Sequence, residues 1–252
     1  MILAVDIGNT TIGFALINNR GSVMSVIKID TTDQGAVLKK VVQKIFKNNS
    51  ISQAVICSVV PEALAVVEGV LKKMLKIQVV GRDLKVPMAN RYRNPKQVGQ
   101  DRLVGAYAAL QLYGKPLIVV DLGTAITFDV VSKKGEYLGG VIVPGLRLSA
   151  ESLFLKTALL PQIDIRIPKN PIGKTTEESI LSGLFYGYGY LCKGMVDLLG
   201  RYVGAASKPA RTVMTGGHTQ LMKKFVSPKI CIIDENLVFK GLYLLALQIA
   251  DR

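Results

Sequence analysis

A short apolar run that ends in Asp, one apolar residue and Gly, followed by small polar residues, occurs twice in this chain. That repetition narrows the fold more than any other feature. The first copy is Ile2-Leu3-Ala4-Val5-Asp6-Ile7-Gly8-Asn9-Thr10-Thr11 and the second is Ile118-Val119-Val120-Asp121-Leu122-Gly123-Thr124. An apolar run of this length, broken by Gly beside small polar residues, reads as a buried strand entering a tight turn. Each copy is followed by two further strand-like segments, 11–17 and 22–28 after the first and 126–131 and 137–143 after the second. The connections Asn18-Asn19-Arg20-Gly21 and Ser132-Lys133-Lys134-Gly135 carry turn residues, including a Gly that accepts positive φ. Two strand–turn–meander units predict a duplicated chain, with halves at 1–115 and 116–252.

The remaining segments fit the same class. Val37, Leu38, Val41, Val42, Ile45 and Phe46 fall at three- and four-residue spacing with lysines opposite, which predicts an amphipathic helix over 35–47. A strand over 54–60 stops at Pro61, a helix covers 62–73 and a strand 77–80. A further helix is expected over 102–113. In the second half, helices are expected over 146–155, from 176 to about 202 and from 236 onward, with strands at 213–217 and 230–233. Thr175-x-x-Glu178 is a capping box for the second of those helices. Alternation of strands and helices in this order belongs to an α/β fold. Two stretches, 81–102 and 160–174, are rich in turn residues and longer than a plain connection requires, which marks them as functional loops or linkers.

Composition bounds the function. With 252 residues and a hydrophobic fraction of 49%, the chain can bury a large core. It lacks an apolar run of the roughly 18 residues a membrane span needs, and its start lacks a signal-peptide pattern. A cytoplasmic protein with no membrane partner is the expectation. Cys57, Cys192 and Cys231 form no C-x-x-C pair and read as core filler. His218 is the only histidine, which excludes a histidine metal cluster and leaves oxygen ligands for any cation. The net charge of +14 raises a nucleic-acid partner. Both halves are basic, yet neither has a block of five like charges or an aromatic platform between them, so composition does not support that partner.

The repeated turns have a chemical use. Gly lets the backbone approach a ligand with its amides bare, Thr and Asn reach phosphate oxygens, and Asp holds a hydrated cation beside them. The chain has no G-x-x-x-x-G-K-[ST] and no G-x-G-x-x-G after a strand, which excludes P-loop and Rossmann binding. The pattern resembles the actin, sugar kinase and Hsp70 ATPase superfamily. That resemblance implies two duplicated ribonuclease H-like, actin-like ATPase domains, each a mixed sheet flanked by helices, that grip ATP between two phosphate turns. Thr215-Gly216-Gly217 is similar to the superfamily's adenosine-contacting turn.

Within the first long loop, Tyr92-x-Asn94-Pro95-x-x-Val98-Gly99-x-Asp101-Arg102 resembles the signature of type III pantothenate kinases. Gly139-Gly140-Val141-Ile142-Val143-Pro144-Gly145, the segment Gly173-Lys174-Thr175-Thr176-Glu177-Glu178-Ser179-Ile180-Leu181-Ser182-Gly183 and the short length agree with it. The resemblance implies transfer of the ATP γ-phosphoryl group to the primary hydroxyl of pantothenate, a step of coenzyme A synthesis. By the same resemblance Asp101 is the base. Asp6, Ile7, Gly8, Asn9, Thr10, Thr11, Ile12 and Gly13 form the first phosphate turn, with Asp6 near Mg²⁺, and Thr124 serves the second. Asp121 ligates K⁺ or ammonium, and Tyr92, Gly99, Gln100, Asp101, Arg102 and Thr176 meet pantothenate. Gln100 departs from the family pattern, which has Ala there, and so bears on acceptor fit. The resemblance also implies a homodimer, and the aromatics around Phe185, Tyr186, Tyr188 and Tyr190 suggest a contributing surface. The charge leaves one competing reading, a catalytically silent regulatory or nucleic-acid-binding paralogue, against which stand both turns and Asp101-Arg102.

Overall fold

The computed structural model describes residues 1–33, 35–47, 49–204, 210–226 and 231–250. The chain divides into two units, Met1–Leu112 joined by the segment from Asn236, and Tyr113–Glu235.

In the first unit, strands β1 (Ile2–Ile7), β2 (Thr11–Ile17) and β3 (Val23–Asp30) form the meander expected from the sequence. Helix α1 (Ala36–Phe46) leads to β4 (Gln53–Ser58), and α2 (Pro61–Leu71) leads to β5 (Lys76–Val79). Pro61 takes the first position of α2, where its missing N–H costs no hydrogen bond. The sheet order is β3-β2-β1-β4-β5, antiparallel through the meander and parallel from β1 to β5.

Strand periodicity sorts the two faces of this sheet. Leu3, Val5 and Ile7 point with Ile12 and Phe14 towards Leu38, Val42, Ala63 and Val67 of α1 and α2. Ile2, Ala4, Val55 and Cys57 point the other way, towards Val104 and Tyr107 of α3 (Gln100–Tyr113). By the same alternation Asp6 lies on the α3 side.

The second unit repeats the plan. Strands β6 (Leu117–Leu122), β7 (Ala125–Val131) and β8 (Tyr137–Pro144) form the meander, followed by α4 (Leu146–Lys156). Helix α5 (Thr176–Ser182), a π-helical segment over Gly183–Gly187 and α6 (Tyr188–Val203) lead to β9 (Arg211–Thr215). The short helix α7 (Thr219–Met222) then leads to β10 (Cys231–Ile233). The order β8-β7-β6-β9-β10 and its strand directions match the first sheet strand for strand. Even the register irregularity near the end of the second strand recurs, at Leu16/Ile17 and at Val130/Val131. Both units are mixed sheets flanked by helices, the α/β architecture expected.

Three elements differ from the sequence expectation. The single helix expected from 176 to about 202 is interrupted at Gly183–Gly187. The wide π turn lets two consecutive side chains reach one ring: Phe185 and Tyr186 lie 5.2 and 5.0 Å from Phe225 by ring centroids. Helix α3 starts at Gln100 rather than 102, which moves Asp101 from the loop into the helix's first turn. The C-terminal helix α8 (Leu237–Ala250), grouped by chain order with the second half, packs on β1 and β4 through Phe239, Leu242, Leu245 and Ala246. Cys57 and Cys192 are buried, in line with core filler, while the side chain of Cys231 lies outside the described residues. Among the described residues no helix is long and apolar enough to cross a membrane.

Candidate active site

The first turn is a four-residue connection between paired Ile7 and Ile12, closed by the Gly8 N–H donating to Thr11 O at 3.0 Å. Thr31, at the end of β3, holds it from behind: its hydroxyl donates to Gly8 O at 2.7 Å and its N–H to Thr10 O at 2.9 Å. With those carbonyls engaged, Asn9, Thr10 and Thr11 stand exposed. Ile7 and Ile12 are fully buried and support the turn as core residues. Gly13 lies on β2 opposite Asp6, with its Cα against the Phe239 ring; a Cβ there would come within 2.7 Å of that ring.

Asp6 and Asp101 meet around one thiol. Asp6 pairs in register with Cys57 of β4 on the α3 face, and burial, reinforced by the charges of Asp6 and then Asp101, raises the Cys57 pKa well above its ordinary value. Asp101 is held at the head of α3. Its Oδ1 accepts the Arg102 N–H at 2.8 Å and lies where a Gly99 side chain would begin. Burial pushes the Asp101 carboxyl above its ordinary value of 3.8, opposed by the Arg102 N–H and the guanidinium charge. Arg102 favours the ionised carboxylate, and desolvation outweighs it.

The substrate loop supplies the other expected residues. Tyr92 is half-buried, its N–H donating to Asn90 Oδ1 at 2.9 Å. Asn94 caps a single 3₁₀ turn over Pro95–Gln97, and Val98 anchors the end of the loop in the core. The Gln100 side chain lies over Gly81, in the turn after β5. Thr176 is exposed at the first position of α5, in a different unit, behind the Thr175 cap whose hydroxyl accepts the Glu178 N–H at 3.2 Å. Thus Gly99, Gln100, Asp101 and Arg102 form one cluster with Asp6 nearby, while Thr176 belongs to a separate element.

The second turn joins Leu122 to Ile126, with the Gly123 N–H donating to Ala125 O at 3.1 Å. The Gly145 N–H, at the head of α4, donates to Thr124 O at 3.0 Å. From the other side the 216–218 segment closes on the tip of β6. Gly216 adopts φ +95°, and a side chain there would run into Asp121 Oδ1 and the Leu122 backbone. The His218 N–H donates to Leu122 O at 3.0 Å.

Two residues of these clusters carried no sequence signal of their role. Cys57 looked like core filler, and only strand register puts it between two carboxylates. His218 follows the Gly216-Gly217 pair directly, and its backbone contact with the tip of β6 is set by the fold.

The donor set suits hard cations. Asp6 and Asp121 are half-buried carboxylates on the strands that enter the two turns, and Asp121 Oδ1 lies against Gly216, where a side chain would run into it. Among the described residues no three His, Cys, Asp or Glu side chains gather into a metal cluster. A cation at either carboxylate would therefore complete its shell with backbone oxygens, water or phosphate, as K⁺ and Mg²⁺ do.

Two mixed sheets of matching order, each with an Asp-x-Gly turn at the tip of its first strand, have the duplicated fold also seen in sugar kinases. A ROK family glucokinase from Streptomyces griseus, solved with glucose and AMPPNP, has a similar fold at a TM-score of 0.55 and 12% identity, over 98% of this chain and 99% of its own. The family model of type III pantothenate kinase matches residues 2–198. A type III pantothenate kinase of Persephonella marina is 43% identical over 96% of this chain and 97% of its own length. One from a Sulfurihydrogenibium species is 37% identical over 97% and 99%. The chain belongs to the type III pantothenate kinase family.

Proposed function

We propose that this chain phosphorylates pantothenate at its primary hydroxyl with ATP, giving 4′-phosphopantothenate for coenzyme A synthesis, and that Asp101 receives the hydroxyl proton. Family membership supports the reaction. The observation that carries the residue assignment is the half-buried Asp101 carboxyl, fixed by the Arg102 N–H at the head of α3 and acting with Asp6 on the Cys57 thiol.

The substrate hydroxyl oxygen forms a bond to the γ-phosphorus while the bond from that phosphorus to the β,γ-bridging oxygen breaks. ADP leaves with that bond's electron pair, and the hydroxyl proton passes to Asp101. The chemistry asks mainly for alignment and charge stabilisation, with the proton accepted late. A carboxyl whose pKa is raised by burial is a stronger base than an exposed one, and Arg102 keeps enough of it ionised to act. When bound, Mg²⁺ neutralises the phosphate charge beside Asp6, and K⁺ or ammonium does so from Asp121.

Asn9, Thr10 and Thr11 present exposed polar groups to ATP, with Gly8 giving the backbone close approach, and Ile7, Ile12 and Gly13 fix the turn's shape. Thr124 is the ATP contact of the second turn. Arg102 meets the pantothenate carboxylate, Tyr92 provides an aromatic wall, Gly99 and Gln100 shape the site, and Thr176 offers a hydroxyl. We assign the first phosphate turn and substrate loop to a half at 1–115, and the second phosphate turn and adenosine turn to a half at 116–252. The enzyme works in the cytoplasm as a homodimer. Tyr190, Leu198 and Tyr202 support the dimer: they fall at multiples of four along α6 and are 74%, 48% and 82% exposed, a stripe that fits a partner face.

A coupled assay of ADP release tests the reaction. The expected result is pantothenate-dependent ADP formation that requires Mg²⁺ and increases with K⁺ or ammonium. ADP release indifferent to pantothenate, alongside an active control kinase, would sink the proposal.

A further inference from the structure

We propose that Thr31 is a positioning residue for the nucleotide, a buried clamp that aims the amides of the first turn at the phosphates. This rests on the reading of residues 6–13 as the ATP phosphate turn. Thr31 follows the last residue of β3 and is 7% exposed. It grips alternate carbonyls of the turn, its hydroxyl donating to Gly8 O at 2.7 Å and its N–H to Thr10 O at 2.9 Å. In a planar trans peptide the C=O of one residue and the N–H of the next point in opposite directions. Holding the Gly8 and Thr10 carbonyls towards Thr31 therefore turns the Asn9 and Thr11 N–H groups away from it. The grip on Gly8 belongs to the side chain, so it can be removed without touching the backbone.

The second turn shows the same place filled differently. Gly145 follows the last residue of β8, as Thr31 follows that of β3. Its N–H donates to the carbonyl of Thr124, the residue before β7, as that of Thr31 donates to Thr10, the residue before β2. A Cβ on Gly145 would run into Gly123 O and Thr124 O, so bare backbone closes this turn from behind. The first turn has two residues, Asn9 and Thr10, between its Gly and its second strand, where the second has Thr124 alone. The longer connection leaves room for a side chain behind Gly8, and Thr31 uses it to fix the Gly8 peptide through a hydroxyl. Donors preorganised in this way stabilise phosphate charge without reorganising during the reaction.

Three variants separate this idea from its premise. Thr31→Val keeps the backbone N–H and the branched shape but lacks the hydroxyl. It should raise the KM for ATP about three- to tenfold, the scale of one lost hydrogen bond, and leave the KM for pantothenate within about twofold. Thr31→Ser, which keeps the hydroxyl, should recover most of the loss. Thr10→Ala tests the turn itself and should also raise the KM for ATP. An unchanged ATP KM in Thr31→Val beside a raised one in Thr10→Ala overturns the role of Thr31 and leaves the turn assigned; a lowered Tm with that unchanged KM would reduce the hydroxyl to a support of the hairpin. Unchanged values in both remove the turn from nucleotide binding, and the Thr31 proposal falls with it.

A second measurement needs no variant. In nitrogen-15 NMR spectra the backbone amide signals of Asn9 and Thr11 should shift with saturating MgAMPPNP and stay fixed with pantothenate alone. Amide signals that stay fixed while calorimetry records MgAMPPNP binding would overturn the proposal even if Thr31→Val fails to fold.

Discussion

The Oδ1 of Asp101 occupies the space that a side chain on Gly99 would need, 2.5 Å from where a Cβ would stand. The same oxygen accepts the Arg102 N–H. A methyl group at residue 99 therefore cannot enter without displacing the carboxylate from its anchor. Gly99→Ala is expected to lower kcat about 10²-fold, the scale of a misplacement near 1 Å, with little change in the KM for ATP. Steady-state kinetics check it, and a near-native kcat would detach Asp101 from the chemistry.

Asp101→Asn separates catalysis from stability. Asparagine keeps an oxygen for the Arg102 N–H but accepts no proton, so turnover should fall about 10²- to 10⁴-fold while MgATP still binds. The folded-state pKa of Asp101 is raised, so the folded chain holds this proton to a higher pH than the unfolded chain does. Its contribution to stability is therefore present at low pH and lost as pH rises through the folded value. At neutral pH the buried charge costs stability, and the neutral amide removes that cost. The variant should melt higher than the parent, by roughly 2–4 °C for each kcal/mol recovered. A lower Tm would mean that the Arg102 interactions, rather than burial, dominate at this carboxyl.

Much of the scaffold was legible because it is written in local pattern. Each Asp-x-Gly turn follows an uninterrupted apolar run, and each meander has its own hairpin residues, so ten contiguous residues suffice to recognise either. The matching strand order then follows from repetition of the same unit. What escaped depends on distant partners. The π segment exists where Phe185 and Tyr186 share Phe225, about forty residues away. Asp6 and Asp101 converge on Cys57 through strand register and the placement of α3. The net direction at Asp101 was illegible for a related reason: adjacency to Arg102 is visible in sequence, whereas desolvation is a property of the packed core.

The pH dependence of the reaction should carry the mark of that desolvation. The acid limb of kcat/KM reports the essential base of the free enzyme. Since burial raises the Asp101 carboxyl above its ordinary value, activity should fall as pH drops through a midpoint above 3.8, where the proton-accepting form is lost. A rate profile measured with buffers of constant ionic strength checks this. A midpoint at or below 3.8 in the parent would show that the Arg102 interactions outweigh burial at this carboxyl in the free enzyme.

Asp121 sits on the strand matching that of Asp6, yet its surroundings suit a different ion. Its Oδ1 lies against Gly216, where a side chain would run into it, whereas Asp6 lies beside the exposed polar residues of the first turn. The single charge of one carboxylate, supplemented by neutral oxygens, balances the monovalent cation proposed there. Asp121→Asn should therefore abolish stimulation by K⁺ and ammonium while the Mg²⁺ requirement persists. Activity titrated against KCl, at fixed Mg²⁺ and with ionic strength held constant by a bulky organic cation, separates the two ions. Retained K⁺ stimulation in Asp121→Asn would move the monovalent site elsewhere, and lost Mg²⁺ dependence would mean that Asp121, not Asp6, serves the nucleotide's metal.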